Sequence, residues 1–244
     1  MLYLELYNHI YKYGKWDDAL IQKKLPQIKR HQQANLKANL FKQILRSLKD
    51  IHKEHYLEIK AREQFDFAKI LYTKGLYKAS LDMLNRVKLL ATRTNKLPLV
   101  YLALDFEKHI EAQHVTGSMS PKAILLSDES KAILDRLQLT NKLSNLSLLM
   151  YGKYLEIGLV RSEKDLEELK HSFEHKLTPY LEMDLDFYQK LYLYQAFVRY
   201  YIMIQDFAKY YLFAKRWVSL YEENLEMRKI ETVVYIKGLH NVSL

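Results

Sequence analysis

The amino-acid sequence predicts an all-α protein, because glycine and proline are scarce, apolar residues are abundant at helical spacing, and a helix-turn-helix pattern recurs. Gly occurs only 6 times and Pro only 4 times in 244 residues, too few for the turns that separate strands in sheets. Hydrophobic residues make up 49% of the chain, and the longer apolar runs recur with the helical period of about 3.6 residues. A helix-turn-helix pattern also occurs twice. Together these features predict about ten to twelve helices.

The repeated pattern places an aromatic residue before a glycine, and a second aromatic residue and a small residue after it. Its copies are Tyr11-x-x-Gly14-x-Trp16-x-x-Ala19-Leu20 and Tyr72-x-x-Gly75-x-Tyr77-x-x-Ser80-Leu81. A glycine after the last turn of a helix adopts the left-handed conformation that ends many helices. We therefore expect helices to end at Gly14 and Gly75, with a second helix after each.

The two copies resemble the tetratricopeptide repeat (TPR) family, whose unit is a helix-turn-helix of about 34 residues. The second copy matches better, because Phe67 and Ala68 stand at the family's Leu-Gly pair and Ser80 stands where the helices cross. A third, eroded copy runs through Phe197, Val198, Gln205, Phe207 and Tyr210. The resemblance implies a right-handed α-solenoid of antiparallel helix pairs over about two thirds of the chain. Gly14 and Gly75 are 61 residues apart, so the helices between them differ in length from the family's, and a generic helical bundle is the alternative.

The resemblance also implies a concave surface, lined by the first helix of each pair, that holds peptide segments of partner proteins. The matching positions are Leu4, Asn8 and Tyr11 in the first copy, Arg62, Phe65, Lys69 and Tyr72 in the second, and Gln195, Arg199 and Ile202 in the third. Cations beside tyrosines suit an acidic peptide or a carboxylate terminus. We expect a non-enzymatic scaffold that mediates protein-protein interaction through this basic groove. Ordinary solvated helix faces are the alternative interpretation.

A basic helix face near the N-terminus predicts a different function. The stretch from Ala19 to Lys49 contains no acidic residue, and the whole chain has a net charge of +9. Four cations follow the spacing of one helix face, namely Lys42, Arg46, Lys49 and Lys53. Clustered cations bind phosphates, so nucleic-acid binding is the second hypothesis. Aromatic residues for stacking are sparse there, and a solvated basic face is the alternative interpretation.

The turn-rich stretch from His114 to Asp128 predicts an ordered crossover within a single helical-repeat domain of residues 1–244. It would join two lobes, residues 1–115 and 127–244, and Ser127 would cap the helix that follows. Ser162 and Asp165 form a capping box for a helix that runs to about Lys176. The tyrosines between Tyr180 and Tyr221 are interpreted as helical core.

Enzymatic chemistry has little support in the sequence. His171 and His175 frame an H-x-x-E-H pattern, which makes a metal-dependent hydrolase the least favoured hypothesis, because that class needs a further carboxylate held by a large α/β fold. The chain has no cysteine, no glycine-rich phosphate loop and no G-x-S-x-G pattern. We therefore expect no catalytic residue, metal ligand or cofactor.

The N-terminus lacks the features of a signal peptide, and no long uncharged apolar stretch follows it. With no cysteine as well, a cytoplasmic location without a membrane partner is expected. Apolar periodicity begins at Leu2 and continues to about Leu239, with no polar capping helix at either end. Two explanations are open: the chain is a fragment of a longer protein, or it forms a homodimer through its terminal helices.

Overall fold

The computed structural model describes residues 2–53, 57–114 and 119–243. Within this part the chain is helical without any strand, and 87% of the chain is helix, which confirms the predicted all-α class. Twelve of the α-helices described have six residues or more, and neighbouring helices pack in pairs. The chain forms two compact units, Met1–Lys60 and Ala61–Leu244.

The first unit contains α1 (Leu2–Tyr13), α2 (Asp18–Lys24) and α3 (Arg30–Lys53) with the turns between them. Its core is formed by Leu6, Ile21, Ile28 and Leu40. Gly14 ends α1 as predicted, at a φ of +68°, and Asp17 caps α2 by accepting a hydrogen bond of 3.0 Å from the backbone N–H of Leu20. Trp16 lies before α2 and Ala19 is exposed. The helix predicted after Gly14 is therefore present as α2, but it begins after Trp16 and leaves Ala19 exposed.

The second unit begins within α4 (Leu57–Thr73). Its other helices are α5 (Tyr77–Arg93), α6 (Leu97–His114), α7 (Met119–Ile157), α8 (Glu163–Leu169), α9 (His175–Leu177), α10 (Phe187–Met203), α11 (Phe207–Glu222), α12 (Leu225–Ile230) and α13 (Thr232–Ser243). A π-helical turn, Lys170–Glu174, joins α8 to α9, and a 3-10 turn, Thr178–Glu182, follows α9. Packing is sequential: α5 lies on α6, α6 on α7, α7 on α10, and α10 on α11, which also holds α13.

One type of turn links three of these helix pairs. The residue after the helix has a positive φ at Gly75 (+74°), Asn95 (+54°) and Gln205 (+59°). In each turn the next backbone N–H reaches a carbonyl oxygen five residues earlier, from Leu76 to Leu71 at 3.0 Å, from Lys96 to Ala91 at 2.8 Å and from Asp206 to Tyr201 at 3.0 Å. The predicted helix end at Gly75 is confirmed. Gln205 holds the conformation of the glycine that it replaces in the eroded third copy.

The crossing of α4 and α5 is tight at the predicted small residue. Ser80 is fully buried, and its hydroxyl donates a hydrogen bond of 2.8 Å to the backbone carbonyl of Ala68. A larger side chain would separate the two backbones there. Ser80 therefore has the role in helix packing that its position in the pattern predicts.

The predicted crossover is wrong over residues 119–128, because α7 begins at Met119 and runs through them. Pro121 fits this helix because it stands in the first turn, where the backbone N–H needs no helical partner. Ser127 lies inside the helix and caps nothing, whereas the turn residues Thr116, Gly117 and Ser118 lie outside the described residues. The two compact units also divide between Lys60 and Ala61, away from the division between lobes 1–115 and 127–244.

The largest core surrounds α10 and α11. Tyr200 and Tyr221 are fully buried in it, which confirms the interpretation of the tyrosine-rich stretch as helical core.

Ser162 caps α8 as predicted, accepting a hydrogen bond of 3.1 Å from the backbone N–H of Asp165, and helical turns continue past Lys176. None of the helices in the described part of the chain has the length and apolarity needed to cross a bilayer.

Candidate functional site: a cationic aromatic cleft

A cleft of about 400 Å³ lies in the second unit between α7, α10, α11 and α13. It is lined by Tyr151, Tyr154, Gln195, Val198, Arg199, Ile202, Tyr210, Trp217, Lys237, His240 and Asn241. None of these described lining residues is acidic. The cleft therefore combines cations and hydrogen-bond donors with aromatic walls.

Arg199 is the central cation of the cleft. It projects from α10 toward α7, where its Nη1 donates a hydrogen bond of 3.0 Å to the hydroxyl of Ser147 and its guanidinium lies 4.8 Å from the ring centre of Tyr151. The side chain is half-buried, and burial lowers the pKa of the guanidinium. Within the described part of the chain, no carboxylate pairs with Arg199. Its charge is thus partly removed from water and left without a counter-ion.

A second cation, Lys237, and the imidazole of His240 come from α13. Lys237 and His240 stand three residues apart on that helix and are exposed at the rim of the cleft. The next residue, Asn241, accepts a hydrogen bond of 3.3 Å from the hydroxyl of the buried Tyr210. An anion that reaches Arg199 would therefore meet a second positive region at the rim.

Trp217 lies at the base of the cleft and is only 4% exposed. Its indole N–H has no hydrogen-bond partner among the described residues. Gly238 lets α13 pass close above it, since a Cβ added there would lie 3.2 Å from the indole ring. A buried donor without a partner costs about 1–3 kcal/mol, so this indole N–H lowers the stability of the fold.

The structure brings together the groove positions predicted in the third copy. Gln195, Arg199 and Ile202 all line the cleft, on the face of α10 that sequence spacing assigns to the groove. The residues added by α7, α11 and α13 were not predicted from the sequence. Gly238, a glycine within an apolar helical run, was the one signal of close packing at this place.

The groove positions of the second copy do not form an open surface. Phe65 is buried and packs against Phe106 with ring centres 6.0 Å apart, and Tyr72 is half-buried with its ring 5.3 Å from Phe106. The expectation that Phe65 lines an accessible groove is wrong, because α6 covers this part of α4, whereas Tyr72 keeps part of its surface exposed. Arg62 and Lys69 are exposed, and the Lys69 ammonium lies 4.9 Å from the Phe65 ring centre.

The other predicted residues lie in the first unit. Leu4, Asn8 and Tyr11 are exposed on α1, and Tyr11, at 81% exposure, stacks on Tyr7. On α3 the predicted basic face is exposed at Lys42, Arg46 and Lys49. The side chain of Lys53 lies outside the described residues.

A second polar cluster joins α10, α11 and the α5–α6 turn and is satisfied internally. The hydroxyls of Tyr188 and Tyr221 donate to the two oxygens of Glu231 at 2.7 and 3.0 Å, and Lys96 Nζ donates to the Tyr188 hydroxyl at 2.7 Å. Because each of these groups is paired with another, the cluster holds helices together and leaves little to bind a ligand.

The histidine pair behind the least favoured hypothesis, a metal-dependent hydrolase, lies at and just before α9. The rings of His171 and His175 are 6.4 Å apart, and the side chain of Glu174 lies outside the described residues. Counting only His, Cys, Asp and Glu, the described residues contain no group of three that could hold a metal ion.

Comparison of the chain with protein-family models, with curated proteins and with solved structures returned no match.

Proposed function

We propose that this chain is a non-enzymatic helical-repeat scaffold, with TPR-like antiparallel helix pairs in a right-handed solenoid, whose cleft binds an acidic segment of a partner protein. The observation that carries the proposal is Arg199, a half-buried guanidinium that has no carboxylate partner among the described residues. Charged side chains are seldom buried unless paired, and here the missing partner would be the ligand's carboxylate.

The groups around Arg199 support a carboxylate as the ligand group. A guanidinium binds a carboxylate through two parallel hydrogen bonds, and partial removal from water strengthens that contact. The ring of Tyr151 lies against the guanidinium and holds its plane in place. The ammonium of Lys237 and the imidazole N–H of His240 at the rim favour further acidic residues in the bound segment. Because the helices hold these groups before binding, little ordering is required of the protein.

The chain allows a direct binding experiment, because it has only two tryptophans. In a Trp16→Phe background, Trp217 is the sole tryptophan and can be excited selectively over the tyrosines, and peptides rich in Glu with a free or amidated C-terminus are titrated against it. We expect saturable change in fluorescence, and binding at least about 10-fold weaker after Arg199→Gln, which loses a charge-assisted pair. Arg216→Gln is the matched control, since Arg216 is an exposed arginine on α11 that does not line the cleft. Equal affinities for the Arg199→Gln and Arg216→Gln proteins would contradict the proposal.

A second candidate function is nucleic-acid binding by α3. It is favoured by the exposure of Lys42, Arg46 and Lys49 together with Phe41, whose side chain is 62% exposed beside them. A salt titration of RNA and DNA binding tests it: affinity should fall steeply with salt and should be lost when the three cations are replaced by Glu. Weak binding with a flat salt dependence would exclude this function.

A further inference from the structure

We propose that Tyr72, His109 and His114 form a binding site for a late first-row divalent cation, independent of the cleft around Arg199. The three donor atoms are the Tyr72 hydroxyl and the Nε2 atoms of both histidines. The hydroxyl lies 3.0 Å from the His109 nitrogen and 3.1 Å from the His114 nitrogen. Tyr72 stands on α4 and the histidines on α6, so the site joins two helices.

These separations are those of neighbouring ligands on one metal ion. Bonds of about 2.0–2.1 Å from a metal to nitrogen and oxygen, at an angle near 100°, place two donor atoms about 3.1 Å apart. A cation that binds the hydroxyl together with either nitrogen would therefore need little change in that donor spacing. Imidazole nitrogens with a phenolate oxygen suit Zn²⁺ and Cu²⁺, and Cu²⁺ should bind more tightly of the two.

The rings are fixed in place by their neighbours. His114 stacks on Tyr77 with ring centres 3.9 Å apart and planes inclined by 8°. Phe106 lies edge-on to Tyr72 at 5.3 Å and stacks with His109 at 6.2 Å. Such packing limits the rotation of metal ligands and so lowers the cost of ordering them.

Access and charge balance also agree with a cation site. His109 and His114 are exposed, so water can complete the coordination shell. Without metal, the hydroxyl donates to one imidazole and accepts an N–H from the other. On binding, the Tyr72 O–H bond breaks and its proton passes to solvent, while the donating imidazole moves its proton from Nε2 to Nδ1. The two nitrogens and the phenolate oxygen then each supply an electron pair to the cation.

Calorimetric titration of the full chain with CuCl₂ and with ZnCl₂, in a buffer that does not chelate, tests the site. We expect one tight equivalent of either ion and, for Cu²⁺, a visible charge-transfer band from the phenolate. Tyr72→Phe keeps the ring and removes the oxygen, so the band should vanish and affinity should fall at least about 10-fold. His109→Ala should weaken binding to a similar degree.

The double variant His171→Ala/His175→Ala is the matched control, because it removes the other histidine pair at helical spacing and leaves the proposed ligands intact. It should retain the tight equivalent and the band, and circular dichroism should show equal helix content for all variants. A tight equivalent that survives Tyr72→Phe with its band unchanged would overturn the proposal. So would loss of that equivalent in the control, or absence of tight binding by the wild-type chain.

Discussion

At the scale of single residues, two arginines of the second unit, one on α7 and one on α10, differ in whether a carboxylate pairs with them. Arg136 forms two hydrogen bonds of 2.8 Å to the carboxylate of Asp186, which satisfies both charges. Arg199 is half-buried beside Ser147 and Tyr151, with no carboxylate partner in the described part of the chain. The first arrangement stabilises the folded chain. The second leaves a partly buried charge unpaired, which lowers stability and fits the ligand role proposed for Arg199.

This contrast predicts opposite effects of the same substitution. Arg199→Met should raise the free energy of unfolding by about 0.5–1 kcal/mol, because it removes a desolvated charge and keeps the apolar contacts of the stem. Arg136→Met should lower it by about 1 kcal/mol, because Asp186 is left unpaired in a partly solvated place. Urea unfolding of the two variants and wild type, followed by circular dichroism, measures both. A loss of stability in Arg199→Met as large as in Arg136→Met would show that Arg199 is a structural residue.

The tyrosines that bind Glu231 predict a dependence of stability on alkaline pH. Burial, together with the hydrogen bond and charge of Glu231, raises the pKa of Tyr188 and of Tyr221 above the ordinary value of 10.0. Above pH 10.0 the unfolded chain releases protons that the folded chain retains, so the free energy of unfolding falls as pH rises. The slope should reach about 1.4 kcal/mol per pH unit for each tyrosine.

Urea unfolding between about pH 9 and pH 11 measures this slope. Tyr188→Phe should make it shallower, because one of the coupled hydroxyls is gone. Tyr211→Phe should keep the wild-type slope, since Tyr211 is 47% exposed. Identical slopes in all three proteins would mean that the Glu231 cluster does not hold its protons in the folded state.

At the scale of helices and turns, backbone conformation decides what a glycine contributes. Gly75 and Gly152 both have open space where a Cβ would be added, but only Gly75, at the end of α4, has a positive φ. Gly75→Ala should therefore lower the free energy of unfolding by about 1 kcal/mol, whereas Gly152→Ala, inside α7, should raise it by about 0.5–1 kcal/mol. Thermal unfolding of the two variants and of the wild-type chain measures whether each substitution lowers or raises the free energy of unfolding. A gain in stability from Gly75→Ala would contradict the turn geometry.

The same turns show which helix ends can be predicted from the sequence and which cannot. Gly75 carries its own signal, because glycine is the usual residue at a left-handed helix end. Gln205 was found only by comparing the third copy with the others, and Asn95 was missed although Asn, like Gly, can adopt the left-handed conformation at a helix end. The crossover over 119–128 was wrong because Pro121 stands in the first turn of α7, where proline is tolerated.

At the scale of the whole molecule, the candidate cleft shows why a site is harder to predict than a fold class. The family resemblance placed Gln195, Arg199 and Ile202 on the groove side of one helix, and these residues do line the cleft. It did not indicate that α7 and α13 would supply Tyr151, Lys237 and the other walls, because a repeat pattern describes a helix pair and not the other helices packed against it. For the same reason Phe65 was assigned to an open face that α6 covers.

The two compact units should differ in local stability. The described part of the first unit buries four apolar side chains, those of Leu6, Ile21, Ile28 and Leu40, whereas α10 alone buries nine. The free energy of local opening grows with the apolar contacts that opening breaks. Amide hydrogen exchange followed by mass spectrometry should therefore find α1, α2 and α3 exchanging at least about 100-fold faster than α10 and α11, after correction for intrinsic rates.

Two conservative core substitutions test whether this difference belongs to the units themselves. Ile21→Val removes one methylene group from the first core and should speed exchange in α1, α2 and α3 by about 3–10-fold, because such a change costs about 0.5–1.5 kcal/mol, while α10 keeps its rate. Leu193→Ala in the second core should speed exchange in α10 and α11 and leave α1 unchanged. If either substitution accelerated exchange throughout the chain, the two units would open together as a single cooperative structure.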